Sequence, residues 1–300
     1  MRILITGSSG FIGSHLIPYL QSQGNEIVRL VRSKNKIAGS SEFWDPLKEY
    51  LEVKSIENFQ VVIHLAGQNI SSRRWSKKQK ENIYDSRILG TQLLVGKLKE
   101  LRTPPDLLIC ASAVGIYGNQ GTETLTETSK KGEGFLADLV WEWEKIACSA
   151  KDAGIRVVTM RTGVVLSNDG GLLRKILIPF KIGFGTVIGD GKQFMPWISI
   201  DDVNAVIDFI IKNRLISGPV NVVAPETITN YEYSKTLGKV LSRPVLFKAP
   251  AFILRLALGE MANDLLLSSS KVVPKVLTDH GYKFLHKNID KALSAALNDE

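Results

Sequence analysis

Cysteine is scarce in this sequence, with two residues among 300. Cys110 and Cys148 are too few for a disulfide framework, and their spacing is not that of a metal site. We therefore expect both side chains to be buried apolar filler, and we expect no metal.

Long apolar runs are also missing. No stretch of about 18 uncharged apolar residues occurs, so we expect no segment that spans a bilayer. The first residues have the pattern of a β-strand rather than that of the charged and then apolar leader of a secreted protein. These absences predict a cytoplasmic protein with no membrane partner.

Acidic residues are outnumbered, at 30 Asp and Glu against 38 Lys and Arg, which gives a net charge of +8. A basic chain can bind nucleic acid, but here basic and acidic residues are interleaved along stretches such as Lys77–Lys99. We expect a solvated surface with a site for an anionic cofactor, and no nucleic-acid partner.

A glycine motif at the N-terminus carries the first functional signal. Residues 3–6 are a short apolar run typical of a buried parallel strand, and Gly7, Gly10 and Gly13 follow it into a helical pattern. These glycines let the chain turn, let a pyrophosphate approach the backbone and let the helix pack on the strand. A helix N-terminus at this point favours phosphate, so the motif predicts a dinucleotide site. Its expected contacts are Thr6, Gly7, Ser9, Gly10, Phe11, Ile12 and Gly13.

The end of the second predicted strand, at residues 26–31, indicates which dinucleotide binds. An acid there would bond to the 2′-hydroxyl of NAD, whereas an arginine accommodates a 2′-phosphate. Arg32 stands at this position, with Ser33 and Lys34 after it, so we predict that Arg32 and Lys34 bind NADP(H). In the third predicted strand, His64 has apolar neighbours, which indicates a satisfied core histidine. The turn that follows should border the cofactor with Leu65, Ala66 and Gly67.

Strand and helix patterns alternate up to about residue 166, which indicates βαβ units. We predict an α/β fold with a Rossmann-type doubly wound parallel sheet in residues 1–166, completed by strands near residues 197–200 and 219–223. Beyond residue 167 the sequence is rich in glycine and loops. Residues 167–300 should therefore form a smaller C-terminal substrate lobe with a helical extension from Phe252 to Leu297.

Several runs resemble one superfamily. The Gly-x-x-Gly-x-x-Gly spacing and the Ser-Ala-Val-Gly-Ile-Tyr-Gly run at residues 112–118 are similar to signatures of the extended short-chain dehydrogenases/reductases, as in the NAD-dependent epimerase/dehydratases. The run at residues 197–203 resembles the segment before a helix in the same proteins. More narrowly, the chain resembles the atypical branch of epimerase-family proteins, which carries a C-terminal extension domain. The runs that carry this resemblance are at residues 44–46, 86–87, 90–91, 189–193, 259–261, 265–269 and 281–282.

The resemblance implies a catalytic set that this chain lacks. Active members use Asn, Ser or Thr, Tyr and Lys, of which the tyrosine exchanges a proton with the substrate while a hydride moves to or from the nicotinamide. The Asn and Ser positions fall on Arg87 and Ala113. Depending on register, the Tyr and Lys positions fall on Phe135 with Leu139 or on Leu136 with Val140.

Two functions are therefore open. In the first, the protein is an NADP(H)-dependent oxidoreductase or epimerase with a small anionic substrate. Arg87 and Arg161 would hold that substrate, and the acid or base would be Tyr117, Asp138 or Glu142. In the second, it is a non-catalytic dinucleotide-binding regulator.

The cofactor site, the catalytic set and the assembly each have one more predicted feature. Ser112 and Arg161 are predicted to border the cofactor. Arg87 is counted among the catalytic candidates as well as the substrate contacts. A homodimer is one open alternative for the assembly.

Overall fold

Eight strands form the central sheet of the computed structural model, which describes residues 1–33 and 40–298. From one edge to the other they are β12 (Gly218–Val222), β8 (Arg156–Thr162), β6 (Leu107–Ala113), β5 (Val61–His64), β1 (Arg2–Thr6), β2 (Glu26–Val31), β3 (Ser41–Asp45) and β4 (Tyr50–Leu51). Neighbouring strands run parallel, except that β3 and β4 are antiparallel.

Helices cover both faces of this sheet. In chain order they are α1 (Phe11–Ser22), α2 (Lys77–Lys99), α3 (Phe135–Cys148), α4 (Gly171–Lys181), α5 (Ile200–Lys212), α6 (Asn230–Val240), α7 (Ala251–Leu258), α8 (Glu260–Ala262), α9 (Lys275–Asp279) and α10 (Ile289–Asn298). The apolar sides of α1 and α5 pack in the core on one face, and those of α2 and α3 pack in the core on the other. The predicted doubly wound Rossmann-type fold is therefore confirmed.

The sheet has a topological switch point between β1 and β5. The chain leaves β1 for α1 on one face and leaves β5 for α2 on the other. Connections that diverge in this way open a crevice at the carboxyl ends of the two strands, which is where ligands bind in open α/β sheets.

The remaining strands form three two-stranded sheets in the described part of the chain. Their pairs are β9 (Val164–Leu166) with β11 (Trp197–Ser199), β10 (Thr186–Ile188) with β13 (Phe247–Ala249), and β7 (Thr124–Leu125) with β14 (Lys271–Val272). A third apolar core, formed largely by residues of the C-terminal half, lies beside them.

The structure corrects one of the two strands expected to complete the central sheet. The strand near residues 219–223 is present as β12, but the strand near 197–200 pairs with β9 instead. The reason lies at Gly163, whose N–H donates to Val222 O (3.2 Å), whereas the N–H of Val164 donates to Pro196 O (2.8 Å). The chain thus changes its pairing strand from β12 to β11 within one residue. The predicted domain boundary at residues 166/167 stays a prediction.

The expected helical extension from Phe252 to Leu297 is only partly helical. A π-helical segment (Asn263–Leu267) continues from α8, and strand β14 and loop segments then separate it from α9 and α10. Gly259 and Gly281, which have φ of 65° and 78°, interrupt the helical pattern, because a left-handed residue ends an α-helix.

The two cysteines and the helix lengths bear on two further expectations from the sequence. Cys110 is buried and Cys148 is half-buried, and both are free thiols. Within residues 1–33 and 40–298, no helix combines the length and apolar character needed to traverse a bilayer.

The close packing of α1 on β1 depends on Gly13. A Cβ at this position would lie 2.4 Å from the carbonyl oxygen of Gly7. We expect Gly13→Ala to lower the free energy of unfolding by ~1–3 kcal/mol, because the backbone must shift to admit the methyl group. Thermal and urea denaturation would measure the change.

Gly96 provides the matched control. It lies inside α2, and a Cβ there would have no atom within 4 Å. Gly96→Ala should therefore raise stability by up to about 1 kcal/mol through helix propensity alone. Equal effects of the two substitutions would contradict the packing argument.

Candidate functional site

Two turns meet in the crevice between β1 and β5. The turn after β1 begins at Gly7, where φ is +70° and a Cβ would lie 2.6 Å from the carbonyl carbon of Leu65. Only glycine fits here, because any side chain would collide with the backbone of the turn after β5. The predicted cofactor contacts at residues 7–10 and 65–67 therefore lie side by side.

The N-terminus of α1 lies beside these turns without a cap. Gly10 is its N-cap residue, no side chain in the described part of the chain caps its N–H groups, and its first turn contains no acid. Ser9 and Gly10 are exposed. A Cβ on Gly10 would meet only Gly7 O, at 3.1 Å. Free N–H groups and the positive end of the helix dipole make such an end suitable for a pyrophosphate.

The side chain of Phe11 is already engaged in packing. A Cβ on Gly170 would lie 2.2 Å from its ring, so the segment between β9 and α4 passes directly over it. The imidazole of His15 stands edge-on to the same ring and lies 3.1 Å from the Asp169 carboxylate. What Phe11 can offer a ligand is therefore its backbone N–H, as Ile12 and Gly13 can.

A buried hydrogen-bond chain holds the turn after β5. The N–H of Ala66 donates to Thr6 Oγ1 (3.2 Å), Thr6 donates to His64 Nδ1 (2.7 Å), and His64 Nε2 donates to Thr91 Oγ1 (3.0 Å). Burial lowers the pKa of His64 to about 4, so the ring is neutral. The prediction of a satisfied core histidine is confirmed. The side chain of Thr6 positions the turn and is not free to contact a cofactor, which corrects its predicted role.

Arg32 directly follows β2, and its side chain is exposed. In a doubly wound dinucleotide fold this strand end, next to β1, lies near the adenosine ribose. Its role with the 2′-phosphate stays a prediction. Lys34 lies outside the described residues.

A buried ion pair engages two of the residues that were predicted to contact a ligand. Arg161 donates from Nε to Glu144 Oε1 (2.9 Å) and from Nη2 to Glu144 Oε2 (2.8 Å). Ser112 donates to the same carboxylate at 2.5 Å. All three side chains are buried. Arg161 and Ser112 therefore have structural roles, which corrects their predicted contacts with cofactor or substrate.

Tyr117 belongs to the same network. Its hydroxyl accepts from Arg161 Nη1 (3.0 Å) and lies within donating distance of Asn221 Oδ1 (2.6 Å) and Thr126 O (3.0 Å). The residue has no exposed surface, and burial raises the pKa of its phenol. A group so enclosed cannot exchange a proton with a substrate, so its predicted acid–base role is corrected to a structural one.

Arg87 remains available to a ligand. It lies in α2, and its guanidinium carbon would be 3.3 Å from a Cβ on Gly67, in the turn after β5. Within the described residues it donates only to uncharged oxygens, Ile83 O (3.1 Å) and Ser86 Oγ (3.5 Å). Burial lowers its pKa to about 10, which still leaves it cationic at neutral pH. An unneutralised cation beside the crevice is suited to an anionic ligand.

The two predicted carboxylates of α3 are already paired. Asp138 lies 2.5 Å from the ammonium group of Lys131, and its side chain is largely exposed. Glu142 accepts from the hydroxyl of Tyr84 (2.6 Å), and this bond raises the pKa of Tyr84 to about 12. No contact in the described residues joins either carboxylate to the turns at residues 7–10 and 65–67. Their catalytic roles therefore stay predictions.

The positions that match the family's Tyr and Lys are packed. Leu136, Leu139 and Val140 are buried. Phe135 stands edge-on to Trp75, with ring centroids 5.3 Å apart, and the Lys80 ammonium lies 4.6 Å from its ring centre. In either register, the side chains at the Tyr and Lys positions are apolar and packed, so they cannot donate a proton to a substrate.

The C-terminal segment brings carboxylates to this place that the sequence did not predict. Glu260 pairs with Lys80 at 2.8 Å beside a cavity of about 470 Å³ that Trp75 and Phe135 also line. Asp264 lies at the start of α3, where a Cβ on Gly134, the N-cap residue of this helix, would be 3.8 Å from its Oδ2. Burial and the Glu260 charge raise the pKa of Asp264.

One sequence signal pointed toward these groups. The run at residues 259–261 was part of the family resemblance, but no spacing showed that it returns to α3, since residues distant in the chain meet there. Asp264 is a carboxylate that the fold brings to the start of α3, next to the position of the missing tyrosine.

Known proteins resemble this chain over its whole length. The model of the NAD dependent epimerase/dehydratase family matches residues 3–223, and that of a domain of unknown function, DUF1731, matches residues 249–296. The epimerase family protein ML0860 of Mycobacterium leprae is 36% identical over 98% of this chain and 95% of its own length.

Two crystal structures extend the comparison. The human epimerase family protein SDR39U1 with NADPH is 30% identical, with a TM-score of 0.91 and 100% of both chains covered. The nucleoside-diphosphate sugar epimerase of Corynebacterium glutamicum is 34% identical, with a TM-score of 0.83 over 100% of this chain and 59% of that chain.

Tyr117→Phe tests the structural role of the phenol. We expect it to lower the free energy of unfolding by ~1–3 kcal/mol, because Asn221 and Arg161 each lose a buried partner. Dinucleotide affinity should not change. Tyr50→Phe is the control, because that hydroxyl belongs to a half-exposed side chain. Unchanged melting with slowed turnover in Tyr117→Phe would restore the acid–base assignment.

Proposed function

This chain belongs to the NAD-dependent epimerase/dehydratase family, and on that premise we propose that it is an NADP(H)-dependent oxidoreductase with a small anionic substrate. The observation that carries the proposal is the uncapped N-terminus of α1 behind Gly7 and Gly10. A helix end with free N–H groups and no acid in its first turn suits a pyrophosphate. A cytoplasmic location and a homodimer stay predictions.

The preference for NADP(H) over NAD rests on two supports. Arg32 is a cation at the end of β2 where an acid would select NAD. The human relative at 30% identity is described with NADPH. Residues 7–13 would hold the pyrophosphate, and the turn at residues 65–67 would border the cofactor. When bound, the cofactor supplies the hydride.

The anionic class of the substrate is inferred from Arg87. Its guanidinium lies against Gly67 and has no carboxylate partner among the described residues. A buried cation without a counter-charge is costly, and an anionic group of a substrate would lower that cost. Arg161, the other predicted contact, is neutralised by Glu144 and plays no part.

Asp264 is our candidate for the missing acid. It reaches the start of α3, where related enzymes place their tyrosine, and its raised pKa keeps a larger share of it protonated. In a reduction, the carbonyl carbon receives the hydride and the carbonyl oxygen takes the proton of Asp264. The carboxylate left behind is stabilised by the N–H of Leu136 and by Lys80.

A second function is favoured by a different observation. The Tyr and Lys positions of α3 carry packed apolar side chains, so the usual proton path of the family is absent from them. A dinucleotide-binding regulator without turnover would need no such path. The two functions differ in whether any substrate is reduced.

The cofactor assignment predicts the effect of Arg32→Asp. NADPH affinity should fall, because a carboxylate repels the 2′-phosphate, whereas NADH affinity should hold or rise. Calorimetric titration with both cofactors would measure this. Arg102→Asp makes the same charge change at another exposed position and should leave both affinities unchanged. Equal affinity of the unmutated protein for NADH and NADPH would refute the assignment.

The acid assignment predicts the effect of Asp264→Asn. NADPH oxidation should slow by about 10² to 10⁴-fold, because an amide cannot deliver the proton. NADPH affinity should not change. In the unmutated protein the rate should fall as pH rises through the raised pKa of Asp264, and this limb of the profile should vanish in the variant.

Single-turnover oxidation against keto acids and neutral ketones would make the measurement, with Asp190→Asn as an exposed control. An unchanged rate in Asp264→Asn would refute its role. Tight NADPH binding with no oxidation across the panel would support the regulator instead.

A further inference from the structure

A large apolar surface is exposed on the C-terminal half of the molecule. Helix α7 has the sequence AFILRLAL, yet none of its residues is buried. Leu256 is 79% exposed and Leu246 is 76% exposed. We define the apolar patch as Ile178, Ile182, Phe184, Leu246, Phe247, Phe252, Ile253 and Leu256. Contiguous exposed apolar groups on this scale mark an interaction site.

Contacts join the elements that carry the patch. Strands β10 and β13 pair in parallel, and the rings of Phe184 and Phe247 stack with centroids 5.5 Å apart. The Arg243 side chain donates to the carbonyl of Lys181, at the end of α4 (2.9 Å). Helix α7 begins two residues after β13, and its Phe252 and Leu256 share one face because they lie four residues apart.

The charged residues of the two segments that carry the patch have one sign. Residues 171–188 and 239–258, which carry the patch, contain no Asp or Glu. Arg174, Lys175, Arg243 and Arg255 donate to uncharged oxygens of the described residues. The basic side chains of the two segments are Arg174, Lys175, Lys181, Lys239, Arg243, Lys248 and Arg255, all of them exposed.

We propose that the apolar patch and its basic rim bind the surface of an anionic lipid bilayer. Interfacial helices bury Phe and Leu at the level of the headgroups while Lys and Arg contact lipid phosphates. The eight residues of α7 are too few to span, but interfacial binding does not need a span. The proposal departs from the expectation, drawn from the sequence, that the protein has no membrane partner.

A second copy of the chain fits this surface less well. A two-fold interface places the same patch on both subunits, so the basic rim of one copy would face the basic rim of the other. No acid in either segment could neutralise that repulsion. An anionic bilayer offers both an apolar interior for the patch and negative charge for the rim.

Flotation with vesicles tests the proposal. The unmutated protein should float with vesicles of phosphatidylcholine containing about one third phosphatidylglycerol, and much less with phosphatidylcholine alone. Binding should weaken as salt rises, because the Debye length falls from about 10 Å at 0.1 M to about 3 Å at 1 M. Equal binding to both vesicle types, or none to either, would overturn the proposal.

Two variant pairs assign the binding to this surface. Phe252→Ser with Leu256→Ser should reduce vesicle binding at least about tenfold, because two inserted side chains are lost. The control Leu215→Ser removes a side chain of equal exposure outside the patch and should bind as before. Lys248→Gln with Arg255→Gln should cost about fivefold for each cation, while Lys54→Gln with Lys151→Gln should not.

Melting curves and light scattering complete the test. Because no residue of α7 is buried, the patch variants should melt as the unmutated protein does. Vesicle binding that survives both patch variants would overturn the proposal. So would a dimer of the unmutated protein that dissociates in Phe252→Ser with Leu256→Ser, since a second copy would then be the occupant.

Discussion

The buried pair of Arg161 and Glu144 is the interaction on which this architecture depends. It joins β8 to α3, and the hydroxyl of Ser112 in β6 donates a further hydrogen bond to the Glu144 carboxylate. Neither charge could be buried alone, since an unpaired charge in the interior costs several kcal/mol. The remaining guanidinium nitrogen donates to Tyr117 and to the carbonyl of Glu127. The pair is therefore satisfied on all sides and determines where its neighbours lie.

The same network attaches the C-terminal segment. Tyr117 bonds to Asn221 of β12, which in turn donates to Val273 O (3.0 Å). Glu127 accepts from the N–H groups of Asn221 and Val276. Strand β14 pairs with β7 beside these bonds. Ser112 and Tyr117 are therefore used to attach this segment to the sheet, and they are not free to act on a ligand.

Local signals predicted the crevice well and the network poorly. Gly7, Gly10 and Gly13 lie within seven consecutive residues, so their spacing alone predicts a phosphate-binding loop. By contrast, Arg161 and Glu144 belong to different elements, and nothing in their local sequence shows that they neutralise each other. Arg161 was therefore assigned to a ligand. Strand β3 has three polar residues among five and β4 has only two residues, which is why the sequence pattern does not show them.

The placement of Asp264 follows from contacts between distant parts of the chain, which sequence spacing does not encode. Helix α7 ends at Leu258, and Glu260 and Asp264 follow within two helical turns. Glu260 is held by Lys80 of α2, and Asp264 is held by the start of α3. The exposed helix and these two carboxylates thus lie on one short segment that is anchored at its carboxyl side. A surface that immobilises α7 would restrict the motion of both carboxylates, which links the apolar patch to the candidate site through the covalent chain itself.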